Sequence, residues 1–314
     1  MYKTFSMELA GRTLSVDIGR VAAQANGAAF MHYGETTVLS TATASEKPRE
    51  GIDFFPLSVE FEEKLYAVGK IPGGFNKREG KASENSVLTS RVIDRPMRPL
   101  FPKDYRNDVT LNNLVLSVDP ECRPELVAMI GSAIATCISD IPFDGPCATT
   151  QIGLIDGEFV VNPSQTQWQE GDLQLTVAST RQKVIMIEAG ANEVPEDTML
   201  QAILTGHEEI KKMVAFISEI QAKIGKEKFQ FDAHEVDAEL FRNIDNLVHD
   251  QVAHALDTND KNERDARLRP IIDQAHETFD PVCGEDTGCI DECLYLIQKK
   301  IVRAWLYEGK RVDG

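Results

Sequence analysis

The sequence predicts an α+β domain of about 220 residues followed by a small all-α unit of about 85. Up to Gly225, short runs rich in Val, Thr and Phe alternate with a few helical runs, and glycine-bearing turns separate them. Beyond Gly225 the amphipathic stretches have helical spacing and no strand pattern. With 314 residues, 42% hydrophobic and 26% charged, the chain has the length for two domains and the composition of a globular protein.

The first strands are read in TFSMEL, LSVDIG, AAFMHYG and TTVLSTATAS. In DFFPLSVEFEEK, Leu57, Val59 and Phe61 alternate with Ser58, Glu60 and Glu62, which predicts a strand with one buried face. A basic loop follows. Ser83 is then an N-cap with Glu84 in the first turn, opening a helix to about Asp94 that Pro96 and Pro99 end or kink. DVTLNNLVLSVD is a strand, and PELVAMIGSAIATCISD is an apolar, small-residue helix with proline in its first turn, suited to burial on a sheet. Asp156-Gly157 marks a hairpin, DLQLTVAST and KVIMIEAGA are strands, and the apolar spacing from Met199 to Ile224 is that of a long helix. The expected joint lies near Gly225–Lys228, giving domains 1–225 and 226–310, with 311–314 opening a further segment.

Charge is unevenly distributed. The chain carries a formal −17, yet residues 64–106 sum to +6 and the remainder to −23. A basic island in an acidic body suggests a polyanion partner at one place, although a solvated basic loop has the same composition. Arg91, Arg95 and Arg98 follow i, i+4, i+7 spacing and share one helix face, where guanidinium forks match phosphate oxygens. In the preceding loop, Gly73 and Gly74 permit close backbone approach, while Lys77, Arg78 and Lys81 flank Phe75. That is the composition of a single-strand binder, in which an aromatic face stacks on bases. Phe75 serves equally as an anchor holding the loop to the core.

No apolar run reaches the length of a membrane span, and the N-terminus lacks a basic segment followed by an apolar one, so no signal peptide is expected. The six cysteines are read as reduced thiols of a cytoplasmic protein. Cys283, Cys289 and Cys293 with His276 lack the CxxC spacing of a zinc site, and no metal site is expected in this chain. Walker, GxGxxG and GxSxG patterns are absent, which disfavours nucleotide-cofactor and serine-hydrolase chemistry.

The stretch DFFPLSVEFEEKLYAVGKIPGGFNKREG, followed by SRVIDRPMRPLFP and ELVAMIGSAIATCISDIPFDGP, resembles the first RNase PH-like repeat of the polynucleotide phosphorylase family. The helical region resembles that family's all-α linker, and YEGKRVDG resembles the entry to a second repeat. The resemblance implies an RNase PH-like domain of ribosomal protein-like β-α-β type in a processive 3′-to-5′ exoribonuclease. Such an enzyme uses phosphate as co-substrate, releases nucleoside diphosphates and forms a ring-like homotrimer around a channel. Mg²⁺ is expected in the second repeat. Single-stranded RNA and RNA-degradation complexes are the implied partners.

The loop Phe75-Asn76-Lys77-Arg78 then lies near the channel constriction, and Lys81, Arg91, Arg95 and Arg98 extend its RNA-contacting surface. Many members carry two aromatics and two arginines in this loop; here one aromatic is lost and one arginine is a lysine. An active repeat holds phosphate with a serine cluster where this chain has Pro120-Glu121-Cys122-Arg123-Pro124, and it uses an Asp-x-Asp-x-Lys pattern where Asp172, Gln174 and Thr176 stand. No catalytic residue is therefore assigned, and the chain is expected to be inactive alone. A stand-alone exoribonuclease and a non-catalytic RNA-binding scaffold are the competing readings.

Overall fold

The computed structural model describes residues 2–49, 52, 54–231, 236–283 and 288–312. The chain forms two compact units, residues 1–233 and 234–314. The first is an α+β unit of two sheets. Strands β1 (Lys3–Leu9), β2 (Arg12–Ile18), β3 (Gly27–Tyr33), β4 (Thr36–Ala44), β5 (Leu57–Glu63) and β6 (Val109–Ser117) form a six-stranded sheet in the order β1-β2-β3-β4-β6-β5. Neighbours are antiparallel except β5 and β6, which run parallel with Leu57 opposite Val109. Parallel neighbours cannot be joined by a tight turn, so a long crossover is required. That crossover contains the basic loop and helix α1 (Glu84–Met97).

Helix α2 (Pro124–Ile138) is the hub of this unit. It packs on β3 and β4, and on β7 (Ala148–Ile155) and the long helix α4 (Glu196–Ile224). Contacts on several sides explain why every α2 residue except Glu125 is buried. At Gly131 a side chain would collide with Ser40 and Met31, so glycine lets the helix settle on the sheet. One polar knot crosses this contact: Asn113 Oδ1 accepts from the Ser40 and Ser132 hydroxyls at 2.6 and 2.8 Å, and its amide donates to the Glu60 carbonyl at 3.3 Å. Satisfied in this way, a buried polar group fixes register at little cost.

The second sheet has the order β10-β9-β7-β8, with β8 (Glu158–Val161), β9 (Leu173–Ser179) and β10 (Val184–Ala191). Asp156 and Gly157 have φ of 50° and 81°, the positive-φ pair of the hairpin their dipeptide predicts. A short helix, α3 (Gln165–Glu170), was not expected; Ser164 and Gln167 form a complete capping box at its start. Helix α1 also runs past Asp94 to Met97 and continues as a 3₁₀ turn over Arg98–Leu100. Pro96 sits buried in its last turn rather than ending it.

Residues 226–231, which take in most of the joint expected at Gly225–Lys228, belong to the first unit. The Lys226 and Phe229 amides donate to the carbonyls of Ile138 and Asp140 at 3.0 and 2.8 Å. Lys228 Nζ caps the end of α2 through the carbonyls of Thr136, Cys137 and Ser139 at 2.7–3.1 Å. Burial lowers the Lys228 pKa. Phe231 meets Tyr105 edge-on at 5.0 Å. The second unit contains α5 (Ala238–Leu256), α6 (Lys261–Cys283) and α7 (Gly288–Tyr307), closed around Ile244, Val248, Ile271, Ile290, Ile297 and Ile301.

Candidate nucleic-acid interface

The crossover leaves β5 through a 3₁₀ turn, Leu65–Val68, ended by Gly69 in the left-handed region. Its base is pinned. Glu79 accepts from the Leu65 amide at 2.7 Å and pairs with Lys64 at 3.4 Å, and Lys64 also pairs with Glu62. The tip is a turn in which the Lys77 amide reaches the Gly74 carbonyl at 3.0 Å, with Lys77 at φ 50°. Phe75 is wholly exposed, at 101%. Within this chain the ring is therefore not an anchor. Asn76, Lys77, Arg78 and Lys81 are exposed too, and none forms an ion pair with a described residue. Tyr66 and Ile71, at 54% and 77% exposure, add apolar surface that the sequence reading did not single out.

Ser83 caps α1 by accepting from the Ser86 amide at 3.1 Å. Ile93, Pro96 and Met97 turn inward, and Arg91, Arg95 and Arg98 turn outward. The three guanidiniums line one open cleft of about 740 Å³ with Leu57, Val59 and Leu88, so the predicted shared face exists. Their chemistry differs. Arg98 is bidentate on Asp94 at 2.6 and 3.0 Å and also donates to the carbonyls of Phe55 and Leu57 at 3.0 and 3.2 Å. Arg95 pairs with Glu188 on β10. Arg91 has no ion pair or hydrogen bond among the described residues, which leaves its guanidinium open to an external anion.

The stretch between β6 and α2 is tied internally. The Asp119 carboxylate accepts the amides of Glu121 and Glu35 at 3.0 and 3.2 Å, and these bonds, Glu121's foremost, hold it below the usual carboxylate range. An internal anion thus occupies these two backbone donors. Glu121 pairs with Arg12 at 3.2 Å, while Arg123 pairs with Glu125 at 2.8 Å and lies 4.3 Å above the Trp168 ring. On β9, Gln174 donates to the Trp168 carbonyl at 2.7 Å and Thr176 is buried. Asp172 is the one carboxylate in the Asp172–Thr176 run. Among the described residues no group of three His, Cys, Asp or Glu side chains is placed to hold a metal ion.

In the helical unit, the outer face of α7 exposes Tyr295, Leu306 and Tyr307 at 62%, 56% and 81%. Lys299 and Arg303 lie among them beside a shallow 450 Å³ cleft whose lining contains no carboxylate. Lys299 Nζ sits 5.9 Å from the Tyr295 ring. The sequence reading assigned no nucleic-acid contact to this unit.

Residues 10–142 match the 3′ exoribonuclease family, domain 1, and residues 145–209 match domain 2 of that family. Residues 239–314 match the model described as polyribonucleotide nucleotidyltransferase, RNA binding domain. The polyribonucleotide nucleotidyltransferase of Lachnoclostridium phytofermentans is 66% identical over 100% of this chain and 45% of its own length. The chain belongs to the polyribonucleotide nucleotidyltransferase family. The like-named proteins of Ruminiclostridium cellulolyticum and Bacillus cytotoxicus are 51% and 48% identical over 100% and 99% of the chain, and it covers 45% and 44% of them. It therefore spans about half the length of the curated relatives it matches. A solved structure, rice (Oryza sativa) Rrp46, aligns with a TM-score of 0.51 over 70% of this chain and 94% of its own. At 14% identity that likeness shows the fold alone.

Proposed function

We propose that this chain is the N-terminal part of a 3′-to-5′ phosphorolytic exoribonuclease of the polyribonucleotide nucleotidyltransferase family, and that it guides single-stranded RNA and helps scaffold a homotrimer. Phosphorolysis, with phosphate as co-substrate and Mg²⁺ as cofactor, belongs in this reading to a second repeat beyond the chain. The reading places the whole protein in the cytoplasm, within RNA-degradation assemblies.

The carrying observation is the wholly exposed Phe75 among cations that make no ion pair with a described residue. A ring held in water supplies a stacking platform, and adjacent Lys77, Arg78 and Lys81 supply phosphate contacts. Arg91 continues that surface along α1, and Asn76 adds a side-chain amide able to bond a base or a ribose. The interior ties at residues 119–125 disfavour the reading of a stand-alone exoribonuclease. The non-catalytic scaffold reading lacks any feature that favours it over the half-enzyme.

The test is binding of a fluorescent oligo(A) to the full-length protein at several salt concentrations. Phe75→Ala should lose about 1–3 kcal/mol with an unchanged salt slope. Lys77→Ala or Arg78→Ala should flatten the slope of log K against log salt by about 0.7 per lost contact. If Phe75→Ala and a combined Lys77, Arg78, Arg91 neutralisation all bind as wild type, the loop does not carry RNA. The α7 face is read as a second contact, consistent with the description of the model that matches there. Lys299→Ala with Arg303→Ala should flatten the slope further, by about 1.4 in sum. An unchanged slope in that double variant removes the second contact and leaves the first.

A further inference from the structure

Of the chain's six thiols, Cys122, Cys137, Cys147 and Cys293 are buried, and only Cys283 and Cys289 are partly exposed. Those two meet. Cys283 is the last residue of α6, Cys289 is in the first turn of α7, and their Sγ atoms lie 3.1 Å apart. Each buried thiol has a reason to stay inert. Burial pushes the Cys293 thiol up to about 11, Cys122 to about 11 and Cys147 to about 12, and it raises Cys137 as well. A protonated thiol is a poor nucleophile, and an enclosed one is out of reach.

We propose that Cys283 and Cys289 form a reversible redox pair, which a peroxide converts from a dithiol to an intramolecular disulfide joining α6 to α7. The Cys289 thiolate attacks one peroxide oxygen. The O–O bond breaks, hydroxide leaves, and Cys289 becomes a sulfenic acid. The Cys283 thiolate then attacks the sulfenic sulfur, the S–S bond forms and a second hydroxide departs. The two thiol protons convert both hydroxides to water. Two electrons pass from sulfur to peroxide, so two thiols and one hydrogen peroxide give one disulfide and two waters.

Three features select this pair. The sulfurs already touch, so closure needs only a small approach to the bonded distance of about 2.05 Å. Cys289 lies at a helix N-terminus, where the aligned peptide dipoles favour an anion. Both sulfurs are partly exposed, so a small oxidant and a small reductant can reach them. In a reducing compartment the dithiol is the resting state and the disulfide a response to oxidant. The bond ties the end of one core helix to the start of the next, so its effect falls on the helical unit.

The experiment treats the full chain with a few equivalents of hydrogen peroxide, alkylates it and digests it without reduction. A protease cutting after acidic residues resolves the three neighbours, because Glu285 and Asp286 separate Cys283 from Cys289, and Asp291 and Glu292 separate Cys289 from Cys293. The expected product is one cross-linked pair, Cys283 with Cys289, two mass units below the dithiol and restored by dithiothreitol. The melting temperature of the helical unit should rise by about 4 °C or more in the oxidised chain. In Cys283→Ser, dimedone should trap a sulfenic acid on Cys289, and Cys293→Ser should leave the cross-link intact. Sulfinic acid at Cys283 or Cys289 without a cross-link, a bond to Cys293, or two thiols that stay fully alkylatable would each overturn the proposal. The mapping on the wild-type chain decides the matter even if a variant fails to fold.

Discussion

Arg91 and Arg98 show how two residues of one type on one helix face come to do different work. Arg98 spends its guanidinium on Asp94 and on the carbonyls of Phe55 and Leu57, which fastens the end of α1 to the chain entering β5. Arg91 spends none of its own on a described residue. Arg98→Ala should therefore cost about 1–3 kcal/mol of stability, mostly from charge-assisted bonds to carbonyls that lose their partner. Arg91→Ala should leave the denaturation midpoint unchanged and weaken RNA binding. Urea titration beside an RNA titration separates the two, and equal stability losses in both variants would refute the division. The shared face was legible from i, i+4, i+7 spacing. The division was not, because the carbonyls that claim Arg98 lie some forty residues earlier and reach it only through the parallel placement of β5 on β6. Phe75 is the converse case. Its sequence neighbourhood left stacking and anchoring open, and exposure alone removed the second.

At the scale of elements, the fold was most legible where a local rule acts alone. Ser83 caps α1, Asp156-Gly157 turns the β7–β8 hairpin, and the small-residue run of α2 is buried because it packs on elements of both sheets. Legibility failed where a distant partner decides. Gly225–Lys228 has the polar look of a joint, yet Lys228 finds three carbonyls at the end of α2, and Phe231 just beyond finds Tyr105. The helical unit contains a similar long-range link. His276 on α6 contacts Asp280 at 2.9 Å and Asp291 on α7 at 3.2 Å, and bonds to these carboxylates, Asp280's foremost, raise its pKa above the ordinary 6.5. A raised folded value means the protonated imidazolium stabilises the unit. That contribution is complete below pH 6.5 and is lost as pH rises through the raised value. The melting temperature of the helical unit should therefore fall as pH rises above 6.5, and His276→Gln should flatten that fall. A His276→Gln profile parallel to wild type would show that the imidazolium does not bridge the helices.

For the whole molecule, the proposed function sets a surface read as guiding RNA against a chain read as lacking the groups for phosphorolysis. The −17 chain has a net positive charge over residues 64–106 and a net negative charge over the remainder, a distribution that favours an approaching polyanion at the crossover. Attack of phosphate on a phosphodiester needs positioned cations or a metal to stabilise the developing charge, and losing such groups costs orders of magnitude in rate. Where the resemblance calls for a phosphate cradle, Asp119 and Glu121 present carboxylates, Arg12 pairs with Glu121, and Arg123 pairs with Glu125 through Nη2 and lies over the Trp168 ring. At Asp172, Gln174 and Thr176, one acid remains of the pattern and no lysine. This chain alone, incubated with oligo(A), phosphate and Mg²⁺, should release no nucleoside diphosphate above background, at any concentration that still binds the oligonucleotide. Running binding and release on the same sample separates a missing reaction from a missing substrate. Diphosphate release that co-elutes with the chain in gel filtration, and that persists in Asp172→Asn, would mean that chemistry resides in this half by a route its aligned positions do not supply. Bound RNA without release is the result a guiding half predicts, because binding asks only for charge and a stacking face, whereas phosphorolysis also asks for an anion site that the carboxylates of Asp119 and Glu121 oppose.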